Sequence, residues 1–114
     1  MKGPHEPAAP LPGRPVRGST TGRPIMAALD LLGRRWTLRI LWELRTGPTG
    51  ARDLARRCDG MSSSVLYQRL GELVHAGLVE QDDDERYVLT DLGHSLGDAL
   101  EPLDRWAKRW ARRP

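Results

Sequence analysis

The spacing of apolar side chains from Ile25 onward predicts a mainly helical domain. Apolar residues recur at steps of three and four, which is the pattern of helices with one buried face. Glycines or a Gly-Pro pair follow the first two stripes and should end those helices. The pattern predicts a helix from Ile25 to Gly33, one through Trp36–Leu44, a short one through Ala51–Ala55, and one capped by Ser62.

A different pattern follows Gly77, where the predicted fourth helix ends. Leu78-Val79 and Tyr87–Leu89 are short apolar runs on either side of an acidic turn, so they predict a two-stranded ribbon. Thr90 or Asp91 then caps a long last helix. Its apolar stripe consists of Leu92, Leu96, Leu100, Leu103, Ala107 and Trp110. The predicted fold class is therefore mainly α with a small β-ribbon, an α+β arrangement.

Residues 1–24 differ in composition from the rest of the chain. They contain six prolines and four glycines, and their charge is +3. Such a segment favours neither helix nor sheet, so we predict a disordered basic arm over residues 1–24 and one domain over residues 25–114. The arm either contacts DNA or serves only as a solubilising tail.

Charge is unevenly distributed along the predicted domain. Residues 25–79 hold eight arginines against five acidic residues, whereas residues 80–104 hold nine acidic residues against Arg86 alone. Any attraction to nucleic acid must therefore come from local patches.

The apolar runs are too short to span a membrane, so we expect a cytoplasmic protein. The single cysteine, Cys58, rules out an intramolecular disulfide and a Cys-rich zinc site.

The third and fourth predicted helices have the spacing of a helix-turn-helix, because only the residues around 59–61 join them. In that motif the second helix presents its N-terminal half to the major groove of DNA. We expect Gln68 to pair with a base and Ser63, Ser64 and Tyr67 to face the groove. Four arginines are candidates for phosphate contacts, with a solvated surface as the alternative. They are Arg52, Arg56, Arg57 and Arg69.

Three segments of this chain occur together in one known family. The run Ala28–Leu44, the helix around Val65–Leu70 and the Leu89–Gly93 entry to the last helix resemble the HxlR family of bacterial winged helix-turn-helix regulators. The resemblance implies a homodimeric transcriptional regulator that reads a pseudo-palindromic operator in double-stranded DNA. It also implies that the first and last helices form the dimer interface. The candidate interface residues are Leu29, Leu32, Leu103, Trp106 and Trp110.

The chain departs from this family pattern at several places. Arg23 stands where many members have a cysteine that senses oxidants or electrophiles, and Ser63-Ser64 replaces a frequent Pro-Lys pair. The predicted wing, Gln81–Arg86, contains four carboxylates that a phosphate backbone would repel. The alternative function is therefore a protein- or ligand-binding module with weakened DNA affinity. The acidic turn lacks the spacing of a calcium loop, so we expect no metal site.

Aromatic residues suggest a place for a small-molecule effector. Trp106 and Trp110 lie one turn apart on the last helix, and with Trp36 they are candidates for an aromatic-lined ligand pocket. The alternative is that these tryptophans only pack against helices.

Cys58 follows two arginines and is either an activated thiol or an inert buried one. The sequence shows no candidate nucleophile together with a catalytic base that could activate it. We therefore expect that the protein is not an enzyme and needs no cofactor.

Overall fold

The computed structural model describes residues 8–114. It contains five helices and a two-stranded antiparallel sheet, which confirms the predicted fold class. The helices are α1 (Pro24–Leu32), α2 (Thr37–Leu44), α3 (Ala51–Arg57), α4 (Ser63–His75) and α5 (Asp91–Ala111). The strands are β1 (Val79–Gln81) and β2 (Tyr87–Leu89).

Local capping explains where α4 and α5 begin. The Ser62 hydroxyl accepts a hydrogen bond from the Val65 amide at 3.3 Å, and the Thr90 hydroxyl accepts one from the Gly93 amide at 3.1 Å. Both side chains satisfy an amide that the first turn of a helix leaves unpaired. The prediction that Ser62 caps α4 is confirmed, and Thr90 is the cap of α5. Helix α5 continues through Pro102.

The core lies where α2, α3 and α4 meet. Ile40, Leu44, Leu54 and Leu73 are essentially inaccessible to solvent. The same packing buries Leu66 and Leu70, as the stripe on α4 predicts. These contacts fix α4 against α3 with its opposite face toward solvent, which determines what a helix-turn-helix can present.

The two strands form a short wing after α4. Val79 pairs with Leu89 and Gln81 pairs with Tyr87, and Thr49 adds a single antiparallel bridge to Tyr87. The Thr49 amide and carbonyl exchange two hydrogen bonds with Tyr87 at 3.0 and 2.8 Å. The loop before α3 is therefore attached to the base of the wing.

The segment before α1 differs from the predicted disordered arm over residues 8–23. Ala9 is buried, and its amide donates to Nδ1 of His75 at 2.9 Å. The Arg17 amide donates to the Asp30 carboxylate at 3.1 Å, and Val16 pairs with Ser19 in a tight turn. A high content of proline and glycine disfavours helices and β-sheets. It is nevertheless compatible with ordered turns that pack on a core, which is why the segment is not disordered. The rest of the predicted arm, residues 1–7, lies outside the described residues.

Candidate nucleic-acid interface

An open groove separates α3 from the N-terminal half of α4. It has a volume of about 380 Å³, and Arg52 and Arg56 of α3 line it opposite Ser63 and Tyr67 of α4. All four side chains belong to exposed residues. Leu66 of α4 also lines the groove. Four of the predicted DNA-facing residues thus lie around one surface of the helix-turn-helix.

The three arginines predicted on or near α3 have different surroundings. Arg52 is exposed and forms no ion pair within residues 8–114, so its charge is available to a phosphate. Arg56 pairs with Asp53 one turn earlier. Arg57 donates to the hydroxyls of Thr46 and Thr49, at 3.2 and 3.4 Å, in the loop before α3. Arg52 and Arg56 line the α3–α4 groove, whereas Arg57 does not.

The exposed face of α4 begins with its capping turn. Ser63 and Ser64 are exposed, and the Ser64 hydroxyl lies 3.4 Å from that of Ser62. Tyr67 is 53% exposed, which is high for a large aromatic residue. Gln68 is also exposed, but its amide nitrogen donates to the Glu72 carboxylate at 3.1 Å.

The surroundings of Arg69 do not favour its predicted role as a phosphate contact. Its guanidinium donates to the Arg35 carbonyl at 2.8 Å and to both oxygens of Glu72 at 3.0 and 2.9 Å. Its side chain is only 20% exposed. Glu72 is buried and needs cationic partners, and Arg69 supplies one of them. The sequence analysis did not identify Glu72 as a functional residue. Its position between Leu70 and Leu73, both predicted to be buried, was the one feature of the sequence that could have indicated it.

The wing carries the acidic cluster on an ordered turn. Asp82 accepts hydrogen bonds from the amides of Arg86 and Asp84, both at 2.9 Å. The amide of Arg86, more than any other group, holds the pKa of the Asp82 carboxyl below its ordinary value. Arg86 also pairs with Asp82 at 3.1 Å. Asp83, Asp84 and Glu85 remain exposed, so the tip of the wing is negative and would be repelled by phosphates.

The tryptophans predicted to line a ligand pocket do not line a common cavity among residues 8–114. Trp106 and Trp110 stack on each other with ring centroids 5.4 Å apart and are 47% and 54% exposed. Trp36 instead packs against the core, with the Arg35 guanidinium 5.6 Å from its ring centre. An apolar cavity of about 340 Å³ lies elsewhere, where segment 10–12 meets α1 and the start of α5.

Helices α1 and α5 expose a set of large apolar side chains. On α1, Leu29 is 57% exposed, whereas Leu32 is half-buried and lines the 340 Å³ cavity. On α5, Leu103 is 48% exposed beside the tryptophan stack. Large apolar side chains exposed on a small domain are candidates for an interaction site.

Cys58 lies at the end of α3 and is fully buried. Burial raises the pKa of its thiol, and this effect outweighs the opposing influence of the Arg39 charge. A buried thiol with a raised pKa is a poor nucleophile, which favours the inert interpretation of Cys58.

Metal sites and membrane-spanning helices are both absent from residues 8–114. No group of three histidine, cysteine or carboxylate side chains is placed to hold a metal ion. None of the helices in this part of the chain has the length and apolar character needed to cross a membrane.

Five helices, a helix-turn-helix between α3 and α4, and a wing after α4 define the class of winged helix-turn-helix proteins. The model of HxlR-like helix-turn-helix proteins matches residues 31–114, and the chain belongs to this family. Proteins of this family are transcriptional regulators that bind DNA, and this chain is one of them. The family is not one of enzymes, in agreement with the sequence.

Curated relatives carry the same description. The uncharacterized HTH-type transcriptional regulator YvaP of Bacillus subtilis is 32% identical over 89 residues, covering 73% of this chain and 82% of its own length. An uncharacterized HTH-type transcriptional regulator of Mycobacterium tuberculosis is 38% identical over 103 residues, covering 85% of this chain. The match spans 62% of the mycobacterial protein.

Solved structures show the same fold. Quinone-bound YodB from B. subtilis superposes with a TM-score of 0.69 at 29% identity, covering 75% of this chain and 94% of that protein. A possible HxlR family transcriptional factor from Thermoplasma volcanium also has a TM-score of 0.69, at 30% identity, covering 79% and 86% of the two chains.

Proposed function

We propose that this protein is a cytoplasmic homodimeric regulator that reads a pseudo-palindromic operator through α4. The observation that carries the proposal is the α3–α4 groove, where Arg52 and Arg56 face Ser63 and Tyr67. In this arrangement Arg52 and Arg56 contact phosphates and set the register, while Gln68 reads a base edge in the major groove. Neither of the other two arginines is given a phosphate contact in this proposal, because Arg57 lies outside the groove beside Thr46 and Thr49 and Arg69 binds the Arg35 carbonyl.

The acidic wing has a different role in this proposal. Asp83, Asp84 and Glu85 stand at its tip with no cation other than Arg86 nearby in the turn. A phosphate backbone would repel them, so the wing turns away from DNA and α4 supplies the contacts. A winged-helix module without DNA affinity is the competing function, and the same acidic tip favours it.

The experiment is selection of bound fragments from sheared genomic DNA, followed by gel-shift titration of the recovered sequence against a scrambled one. Gln68→Ala should lower the preference for the selected sequence, because it removes a base contact worth about 1–3 kcal/mol. Arg52→Ala should weaken binding to both sequences alike, since phosphate contacts carry no sequence information. Arg57→Ala is the matched control and should change neither. Failure to recover any preferred sequence would favour the competing module.

The dimer is proposed to form through the exposed apolar faces of α1 and α5. Leu29, Leu103, Trp106 and Trp110 are each about half-exposed, and their burial would remove apolar surface from water at about 25 cal/mol per Å². Trp106→Ala should shift sedimentation from dimer to monomer. The control is Tyr67→Ala, which removes an equally exposed aromatic ring from α4. A protein that sediments as a monomer without any substitution would contradict this interface.

A small-molecule effector is the last part of the proposal. One similar protein, YodB, has been solved with a quinone bound. Here the cavity between segment 10–12, α1 and α5 is almost entirely apolar and is large enough for a small uncharged ligand. Leu96→Trp should fill this cavity. A thermal shift with menadione that persists in this variant would place binding elsewhere.

A further inference from the structure

Among residues 8–114, Glu72 is the one charged residue that the fold buries, with 2% of its surface exposed. Removing a carboxylate from water is costly unless cations and hydrogen-bond donors surround it. Glu72 lies in the C-terminal half of α4, between Leu70 and Leu73 of the buried face. Its partners therefore decide how the DNA-facing helix is held.

Three donors converge on the Oε2 atom of Glu72. Nη1 of Arg34 and Nη1 of Arg69 each lie 2.9 Å away, and Nε2 of Gln68 lies 3.1 Å away. The two guanidiniums already compensate the negative charge. The hydrogen bond from Gln68 is not needed to neutralise the Glu72 carboxylate. Its main effect is therefore on the orientation of the Gln68 side chain.

The Gln68 side-chain amide has two N–H donors and one carbonyl acceptor. A bidentate pair with adenine uses one donor and the acceptor, so one donor remains for Glu72. A half-turn of the amide would place its carbonyl oxygen against the carboxylate, where two acceptors repel. The buried carboxylate thus selects one orientation of an exposed amide.

We propose that Glu72 is a positioning residue that sets which edge of Gln68 donates and which accepts at the DNA-facing surface. The proposal rests on the proposed function for its consequence at DNA. Glu72 is itself held through Arg34, which follows α1, and through Arg69, which also binds the Arg35 carbonyl. The orientation of Gln68 is therefore set by the α1–α2 loop as well as by α4.

The first test needs no DNA. The chain contains two glutamines, Gln68 and Gln81, and no asparagine, so a nitrogen–proton correlation spectrum has only two side-chain amide pairs. Gln68→Ala assigns them. Glu72→Gln should move the Gln68 pair toward the shifts and fast exchange of a free amide and leave Gln81, which donates to the Glu85 carbonyl at 3.2 Å, unchanged.

The matched control for this spectrum is Glu43→Gln. Glu43 is a carboxylate on α2 that pairs with Arg39 at 3.0 Å and has no bond to Gln68. Each variant adds one new amide pair, but only Glu72→Gln should displace that of Gln68. An unchanged Gln68 pair in Glu72→Gln would overturn the positioning role.

The second test compares two DNAs. One is the selected operator, and the other is changed at the single base pair that Gln68 reads. That base pair is identified as the one whose substitution abolishes the effect of Gln68→Ala. Glu72→Gln should reduce discrimination between the two DNAs about tenfold, within the range of one bidentate contact. A purely structural role would weaken both DNAs equally, and that result would refute the proposal. Glu43→Gln should leave the ratio unchanged.

A fallback variant covers loss of folding in Glu72→Gln, checked by circular dichroism. Glu72→Asp keeps the charge near the two arginines but withdraws the carboxylate by one methylene from Gln68, so it should show the same two effects. If the unsubstituted protein does not discriminate between the DNAs, the proposed function fails and the consequence at DNA fails with it. The amide spectrum still decides separately whether Glu72 orients Gln68.

Discussion

Gly93 lies where the first turn of α5 meets the base of the wing, and alanine should not fit there. A Cβ atom at this position would lie 2.2 Å from the Leu78 carbonyl oxygen and 3.2 Å from Cβ of Leu89. The Leu78 carbonyl cannot retreat freely, because it accepts a hydrogen bond from the Thr90 amide at 3.0 Å. Gly93→Ala therefore forces a backbone shift of about 1 Å where α5 joins the wing.

Gly97, one turn later on the same helix, provides the control. A Cβ atom there would meet only Cγ and Cδ of Arg45, at 3.5 and 3.6 Å, which is ordinary contact. Alanine in a helix is favoured over glycine by roughly 0.5–1 kcal/mol, so Gly97→Ala should be neutral or stabilising. Gly93→Ala gains the same amount but suffers overpacking of about 1–3 kcal/mol and strains one hydrogen bond worth about 1 kcal/mol.

The assay is thermal unfolding followed by circular dichroism at one protein concentration, because the midpoint of any self-associating protein depends on its concentration. For a domain of this size 1 kcal/mol corresponds to about 4–8 °C, so Gly93→Ala should melt at least several degrees below Gly97→Ala. Equal midpoints, or a higher midpoint for Gly93→Ala, would refute the packing that the structure gives to the start of α5.

Three further outcomes follow from side chains outside the groove. Because burial raises the pKa of Cys58, a maleimide should label its thiol slowly in the folded protein and rapidly in denaturant; equally fast labelling would contradict its burial. The lowered pKa of Asp82 stabilises the fold above the ordinary carboxyl pKa of about 3.9, and this contribution is lost as pH falls through the lower folded pKa. Asp82→Asn should therefore reduce the fall in melting temperature at acid pH. A pH profile that is unchanged by the substitution would contradict the hydrogen bonds that Asp82 accepts in the turn. Asp83→Asn should leave operator affinity within about twofold if the wing faces away from DNA, whereas a rise that salt abolishes would place the wing at the backbone.

Features that depend on neighbouring residues could be predicted from the sequence. The Ser62 cap, the β2 strand and the shared face of Trp106 and Trp110 each follow from contacts a few residues apart, and the structure confirms all three. Such contacts leave a local signature because the participating residues keep a fixed spacing.

Features that depend on distant residues could not be predicted in the same way. Buried Glu72 is paired with Arg34, which lies 38 residues earlier in the loop between α1 and α2. Arg69 was expected at phosphate because its helix position alone suggests an exposed flank, and the carboxylate that draws it inward is visible only in the fold. Segment 8–23 likewise depends on His75, 66 residues after Ala9.

The central claim is that α3 and α4 bind DNA through Arg52 and the exposed face of α4. The most direct measurement is operator affinity as a function of salt concentration for the unsubstituted protein and for Arg52→Ala. Each phosphate contact contributes about 0.9 to the slope of log affinity against log salt, so Arg52→Ala should make the slope shallower by about that amount per bound copy. Arg57→Ala should leave the slope unchanged. A slope near zero for the unsubstituted protein, or equal slopes with and without Arg52, would contradict this account.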